Sequence, residues 1–239
     1  MKKIIGIIGG MGPLATADLF RKIIDVTEAE RDQDHIRVLI DSNTNIPDRT
    51  KAILYDGADP VPEILKSAHM LEEDGADLLI MPCNTAHYYF ETISHSVDIP
   101  MLSMIEETAR RLSRMNIKKA GLLATDGTVE SQIYSDTFKK YDIETIVPDS
   151  KGQNEVMKLI YKGVKAGNWN RDLGGFRKTL TDMRERKSEL FVLGCTELPV
   201  AFQHYDFGVP VIDPTLELAK CAVYFVGGKI KSETKEKIC

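Results

Sequence analysis

Positive charge is scarce in this chain. Its 31 Lys and Arg stand against 36 Asp and Glu, for a formal net charge of −5. A nucleic-acid binder needs a basic face, and this balance argues against one. Long apolar runs are missing as well, and no stretch approaches the roughly 18 residues of a membrane span. Cysteine is sparse, with four in 239 residues and no C-x-x-C pair. That spacing suggests neither the disulfide framework of a small secreted domain nor the paired ligands of a zinc site. What remains is an ordinary soluble composition, 43% hydrophobic and 28% charged. The length suits one large domain or two of about 120 residues.

The N-terminus imitates a secretory signal. Lys2-Lys3 precedes an apolar stretch at 4–14 and the small-residue run Ala15-Thr16-Ala17. Gly9, Gly10, Gly12 and Pro13 break that stretch, and strand, glycine loop, helix is the better reading. A cytoplasmic protein is therefore expected.

Apolar runs predict strands at 3–8, 36–41, 77–80, 99–102, 119–124, 143–146 and 189–193. Helical periodicity is found at 14–30, 62–74, 104–115, 154–165, 173–186 and 216–226, with further helices running to about 94 and to 140. Gly75 stops the second of these helices. A polar loop, 42–50, follows the second strand. Strands alternating with helices predict an α/β fold with parallel sheets and ligand chemistry in the βα loops.

Within that pattern one phrase occurs twice. The apolar run Asp77-Leu78-Leu79-Ile80 leads to Cys83-Asn84-Thr85, and Leu190-Phe191-Val192-Leu193 leads to Cys195-Thr196-Glu197. Each copy is followed by a proline in a short apolar stretch, Ile99-Pro100-Met101-Leu102 and Val209-Pro210-Val211-Ile212. Gly6 and Gly121 are 115 positions apart, and Cys83 and Cys195 are 112 apart. Near-equal offsets at distant landmarks indicate an internal duplication. Two similar α/β halves facing each other would bring both cysteines to one cleft.

A thiolate is a competent base and nucleophile, and its pKa falls near helix N-termini or cations. Both cysteines precede an expected helix N-terminus, so both are expected to be activated. A thiolate on one side of a carbon and a thiol on the other can take a proton from one face and return one to the opposite face. That inverts a stereocentre without a cofactor. Donors for a substrate carboxylate are at hand in Asn84, Thr85 and Thr196, in Arg49 of the polar loop, and in the Met11-Gly12 backbone. Lys165, on sequence alone, reads as a surface lysine.

Other readings of these residues are plainer. Each cysteine taken singly could be a buried core thiol, as Cys221 is read from its mid-helix position. His87, four residues after Cys83, lines the pocket or packs on its helix, since no close ligand pair accompanies it for a metal. Gly10-Met11-Gly12-Pro13-Leu14-Ala15 fits the dinucleotide fingerprint G-x-G-x-x-A, with Asp41 ending the next strand. Its first glycine is not at the strand end and Pro13 intrudes, so a tight turn into a helix is preferred. Cys239 and the Lys-, Ser- and Glu-rich tail at 229–237 read as a solvated end.

Four motifs in order carry a resemblance over nearly the whole chain. They are Gly9-Gly10-Met11-Gly12-Pro13-Leu14-Ala15-Thr16, Ile46-Pro47-Asp48-Arg49-Thr50, Pro82-Cys83-Asn84-Thr85-Ala86-His87 and Leu193-Gly194-Cys195-Thr196-Glu197. Together they resemble the cofactor-independent aspartate racemases of the aspartate/glutamate racemase superfamily. The resemblance implies two pseudosymmetric α/β domains, residues 1–104 with 211–239 and residues 105–210, with the active site between them and usually a homodimer. It implies racemisation of an acidic amino acid with neither pyridoxal phosphate nor metal, with Cys83 and Cys195 as the acid/base pair. Arg49 would hold the distal carboxylate, and Lys165 of Val164-Lys165-Ala166-Gly167 would also face substrate carboxylate. Met11, Asn84, Thr85 and Thr196 match ligand-contacting positions. Glu197 completes the substrate-binding set. Glutamate racemases usually carry His at its position, and the Glu favours the aspartate branch. The superfamily also holds isomerases and decarboxylases of small dicarboxylic acids, which are the alternative activity. Non-catalytic binding of an acidic amino acid is a third reading.

Overall fold

The computed structural model describes residues 3–231. Lys2, Cys239 and most of the charged tail lie outside the described residues. Strand β1 (Ile5–Gly9) is buried along its whole length, as expected of a parallel strand covered on both faces. It pairs in parallel with β2 (Val38–Ser42) and with β3 (Leu78–Ile80), and a parallel bridge from Leu79 to Met101 extends the sheet. The second half of the chain repeats this order. Strand β4 (Lys119–Ala124) lies between β5 (Glu144–Ile146) and β6 (Leu190–Gly194), and β6 pairs with β7 (Val211–Ile212), all parallel. Met101 thus occupies in the first sheet the place that Val211 occupies in the second.

The landmark glycines of the repeat have the same physical reason in both sheets. A Cβ at Gly6 would lie 2.8 Å from Leu79, and one at Gly121 would lie 2.8 Å from Phe191. In each case the large side chain belongs to the neighbouring strand that leads to the cysteine.

Helices cover both faces of both sheets. Helix α1 (Pro13–Val26) presents Leu19, Ile23 and Val26 at helical spacing, and α11 (Pro214–Phe225) adds Leu218, Ala222 and Val223 against Ile5 and Ile7. On the opposite face α3 (Val61–Glu73) packs Ile64, Ala68 and Leu71 against Ile8 and Leu79. In the second sheet α5 (Met104–Arg114) and α7 (Ile133–Lys139) cover Leu122 and Val192. Helices α8 (Ser150–Met157), α9 (Gly174–Glu185) and α10 (Leu198–His204) cover Leu123, Phe191 and Leu193. Each fully buried Leu, Ile or Phe contributes about 1.5–3 kcal/mol.

One buried ion cluster ties the last helix to the first. Lys22 of α1 places Nζ 2.5 Å from Asp18 and 2.5 Å from Asp213. Asp213 also caps α11 by accepting from the Thr215 backbone N–H at 2.9 Å, with Pro214 at the first helical position.

The structure differs from the sequence expectations at several boundaries. Helix α1 ends at Val26 because Thr27 leaves it to bridge Ile230 in antiparallel fashion. The polar loop ends early, since Arg49 opens a short helix, α2 (Arg49–Leu54), capped by Asp48. After Cys83 the chain makes a 3₁₀ turn over Thr85–Tyr89 before α4 (Phe90–Ser94), where one helix was expected. The turn-like sequence Asp126-Gly127-Thr128 opens a helix, α6 (Asp126–Glu130), rather than forming a loop. Cys221 is buried but disulfide-bonded, and so is not the packed thiol that its position suggested. Among the described residues no helix is long and apolar enough to cross a membrane.

Candidate active site

The carboxyl ends of β1, β3, β4 and β6 open onto one cavity of about 180 Å³. That is below the range of drug-sized ligand pockets and suits a small polar metabolite. Met11, Arg49, Cys83, Asn84, Thr85, Lys165, Cys195, Thr196 and Glu197 all line it. Residues more than a hundred positions apart therefore meet in one place. Four lining residues were not anticipated: Asp48, Thr50, Thr125 and Tyr161. Asp48 and Thr50 flank Arg49. Thr125 follows β4 directly, at the offset of 115 that relates Gly6 to Gly121, opposite Gly10, so the repeat contained a signal for it.

Met11 reaches the cavity because the chain turns at Gly10, whose φ is +88°. A Cβ there would lie 2.3 Å from the Asn43 backbone, and only glycine fits. The turn delivers the chain into α1 with Pro13 first, so the glycine motif is the tight turn that was preferred over a dinucleotide loop.

Arg49 is pinned by backbone carbonyls. Its Nη1 donates to Pro47 O at 2.8 Å and to Ile46 O at 3.3 Å, and its Nη2 donates to Met11 O at 3.2 Å. Its Nε is buried without a partner. The guanidinium is thus held by neutral groups, and its charge is available to an anion in the cavity.

Cys83 and Cys195 are both free, buried thiols. Their surroundings differ. Cys195 Sγ donates to Glu197 Oε2 at 2.9 Å, Thr196 Oγ1 donates to the same oxygen at 3.3 Å, and Lys165 Nζ donates to Oε1 at 2.5 Å. Burial first, and then the Glu197 carboxylate, pushes the Cys195 thiol well above the ordinary thiol range. This corrects the expectation that both cysteines are activated. Desolvation and a neighbouring anion outweigh any helix N-terminus, and Cys195 is held as a thiol. Lys165 is likewise no free surface lysine. Burial alone would lower its ammonium, but Glu197 reverses the sign and the net shift is upward, so it remains charged.

Lys165 reaches the cavity through a local irregularity. Helix α8 runs into a π-helical turn over Lys158–Val164, and the Lys165 backbone N–H donates to Ile160 O, five residues back. π-turns of this kind recur at functional sites. This one presents Tyr161 and Lys165 on one face, with Lys165 Nζ 5.7 Å from the Tyr161 ring centroid.

Hydroxyls and amides cross between the halves of the chain. Thr85 Oγ1 lies 3.1 Å from Thr125 Oγ1 and 2.9 Å from Thr128 Oγ1, which are 3.1 Å from each other. Tyr134 OH donates to Asn84 Oδ1 at 2.5 Å. His87 is not in the cavity wall. Its Nδ1 donates to Cys83 O at 2.8 Å and its Nε2 accepts from the Met104 backbone N–H at 3.0 Å. Burial lowers its pKa to about 4. A neutral His87 therefore fastens the Cys83 loop to the start of α5. Among the described residues no group of three or more His, Cys, Asp or Glu is arranged to hold a metal ion.

Two buried thiols, a carbonyl-pinned arginine and a lysine–glutamate pair thus line one small cavity. The chain matches the Asp/Glu/Hydantoin racemase family over residues 8–222 and belongs to it, which makes it an isomerase. The broad specificity amino-acid racemase RacX of Bacillus subtilis (strain 168) is 32% identical over 223 residues, covering 92% of this chain and 96% of RacX. The structure of Picrophilus torridus aspartate racemase superposes with a TM-score of 0.87 at 36% identity, covering 98% of each chain. An aspartate racemase homologue from Pyrococcus horikoshii OT3 superposes with a TM-score of 0.77 at 26% identity, covering 95% of this chain and 99% of that one.

Proposed function

We propose that this protein interconverts L- and D-aspartate, with glutamate as a second candidate substrate, by a two-base proton transfer between Cys83 and Cys195 without a cofactor. The observation that carries the reading is the convergence of both free thiols and the Arg49 guanidinium on one small cavity. Similarity to the Picrophilus torridus aspartate racemase supports aspartate as substrate.

Arg49, pinned by carbonyls and unneutralised by them, binds a substrate carboxylate. Asn84 supplies a further donor, and Lys165 keeps the cavity cationic on the side of Glu197. In the resting site Cys195 carries its proton on sulfur, hydrogen-bonded to Glu197. Cys83 is then the base for the enantiomer that meets this state. Its thiolate takes the α-proton, the electron pair left on Cα is delocalised into the carboxylate, and Cys195 delivers its proton to the opposite face. The product leaves Cys83 as thiol and Cys195 as thiolate. This is the state that racemises in reverse, and proton exchange with water resets it. The cationic and N–H donors matter most at the carbanion-like transition state, when charge on the carboxylate is greatest.

The test is α-hydrogen exchange in D₂O, with no cofactor added, on L-aspartate and then L-glutamate. Loss of the α-proton signal with appearance of the D-enantiomer is expected. Cys83→Ala and Cys195→Ala are each expected to abolish racemisation. A single variant that still racemises at near the wild-type rate overturns the two-base assignment. Exchange with neither substrate overturns the aspartate reading and redirects assays to isomerisation and decarboxylation of small dicarboxylic acids.

A further inference from the structure

Tyr134 lies in α7, in the half of the chain opposite Cys83, and is fully buried with its ring edge-on to Phe138 at 5.3 Å. Its hydroxyl crosses to Asn84 at 2.5 Å. That distance belongs to an O–H···O bond and is too short for an amide N–H donor. The carboxamide of Asn84 is therefore fixed with Oδ1 toward the tyrosine and Nδ2 on the other side. Nδ2 is buried and has no partner. An unsatisfied buried donor costs about 1–3 kcal/mol, unless a ligand supplies the acceptor, and Asn84 lines the cavity.

The neighbouring wall has no comparable donor. The hydroxyls of Thr85, Thr125 and Thr128 stand within 2.9–3.1 Å of one another. Such a ring uses one proton per contact, so all three protons are committed within it. With those hydroxyls committed, the Asn84 amide is the donor this wall offers to an anion, beside the Arg49 guanidinium. Burial also raises the Tyr134 phenol well above its ordinary range, which keeps it a donor at any working pH.

We propose that Tyr134 is a positioning residue, which holds the Asn84 carboxamide so that its N–H groups face the cavity and bind a carboxylate of the substrate. The chemical class of the ligand rests on the proposed function. The assignment of Tyr134 to Asn84 rests on the geometry above.

A double-mutant cycle tests it. Tyr134→Phe keeps the buried ring and removes only the hydroxyl, and Asn84→Ala removes its target. The readouts are the Kd for L-aspartate by calorimetry and kcat/KM for racemisation, with the thermal midpoint of each variant measured beside them. Tyr134→Phe is expected to weaken binding and kcat/KM by roughly tenfold in the wild-type background, the scale of a lost hydrogen bond to a charged group. It is expected to change neither by more than about twofold once Asn84 is Ala, since the two residues act as a unit. Asn84→Asp leaves the tyrosine contact in place but puts an acceptor where the donor stood, and is expected to lose at least as much as Asn84→Ala. An equal loss from Tyr134→Phe in both backgrounds, wild-type binding in that variant, or wild-type binding in Asn84→Asp overturns the inference. Aspartate binding without α-proton exchange in the wild-type protein overturns the proposed reaction alone, and the cycle in Kd still decides the role of Tyr134. A wild-type protein that racemises but shows an additive cycle overturns the role of Tyr134 alone. No aspartate binding by the wild-type protein overturns both.

Discussion

Replacing Glu197 by Gln isolates the carboxylate that faces Cys195. The substitution keeps the side-chain shape and removes the charge 2.9 Å from Sγ. Ionising the thiol beside the native carboxylate sets two negative charges at that separation, a bare repulsion of about 6 kcal/mol at an effective dielectric near 20. Lys165, 2.5 Å from the other carboxylate oxygen, offsets much of it. The net scale is that of one hydrogen bond to a charged acceptor, about 1.5–3 kcal/mol. The assay is the pH dependence of iodoacetamide alkylation in a Cys83→Ala background, followed by mass spectrometry on the peptide that contains Cys195. Glu197→Gln is expected to lower the midpoint. It should remain above the ordinary thiol value of 9.0, because burial is the larger cause and is untouched. The sign for stability follows. The native pKa of Cys195 is raised, so its contribution is fully present below 9.0 and is lost as pH rises through the native value. Glu197→Gln narrows that alkaline loss. A midpoint that stays put or moves up refutes the electrostatic role of Glu197 and leaves burial as the whole cause.

Two further perturbations probe the scaffold. His87 is neutral and its pKa is lowered from 6.5 to about 4. Between these values the unfolded chain binds the proton and the native state does not, so stability falls as pH drops from 6.5 toward 4. The total is about 3 kcal/mol, and urea midpoints across that range should lose this slope in His87→Gln. Lys22→Met leaves Asp18 and Asp213 close together without their shared cation, and is expected to cost about 3–5 kcal/mol, read as a lower denaturation midpoint. Wild-type stability in that variant would show that the cluster is solvated.

Much of the fold was legible because its signals are local. Runs such as 78–80 and 190–193 are apolar throughout because strands covered on both faces have no solvent side. Gly6 and Gly121 mark the repeat because a neighbouring strand passes over each of them. The chemistry-bearing types were legible for the same reason. Cys83, Cys195, Arg49 and the asparagine and threonines beside the cysteines stand at strand ends or in βα loops, where a single chain segment reveals their place. Short helices such as α2 and α6 escaped because five or six residues carry too little periodicity.

What the residues do to one another was decided only by folding. Lys165 and Glu197 are 32 positions apart, Tyr134 and Asn84 are 50 apart, and no local pattern joins either pair. The two cysteines look equivalent in the sequence, each placed after a buried strand. Tertiary structure makes them unequal, since only Cys195 acquires a carboxylate partner, and its desolvation is set by everything packed around it. Sequence thus determined which atoms could carry protons, and the tertiary structure placed the Glu197 carboxylate against only one of the two sulfurs. Covalent identity is local, whereas the free energy of a charge depends on all the dipoles, charges and water that surround it.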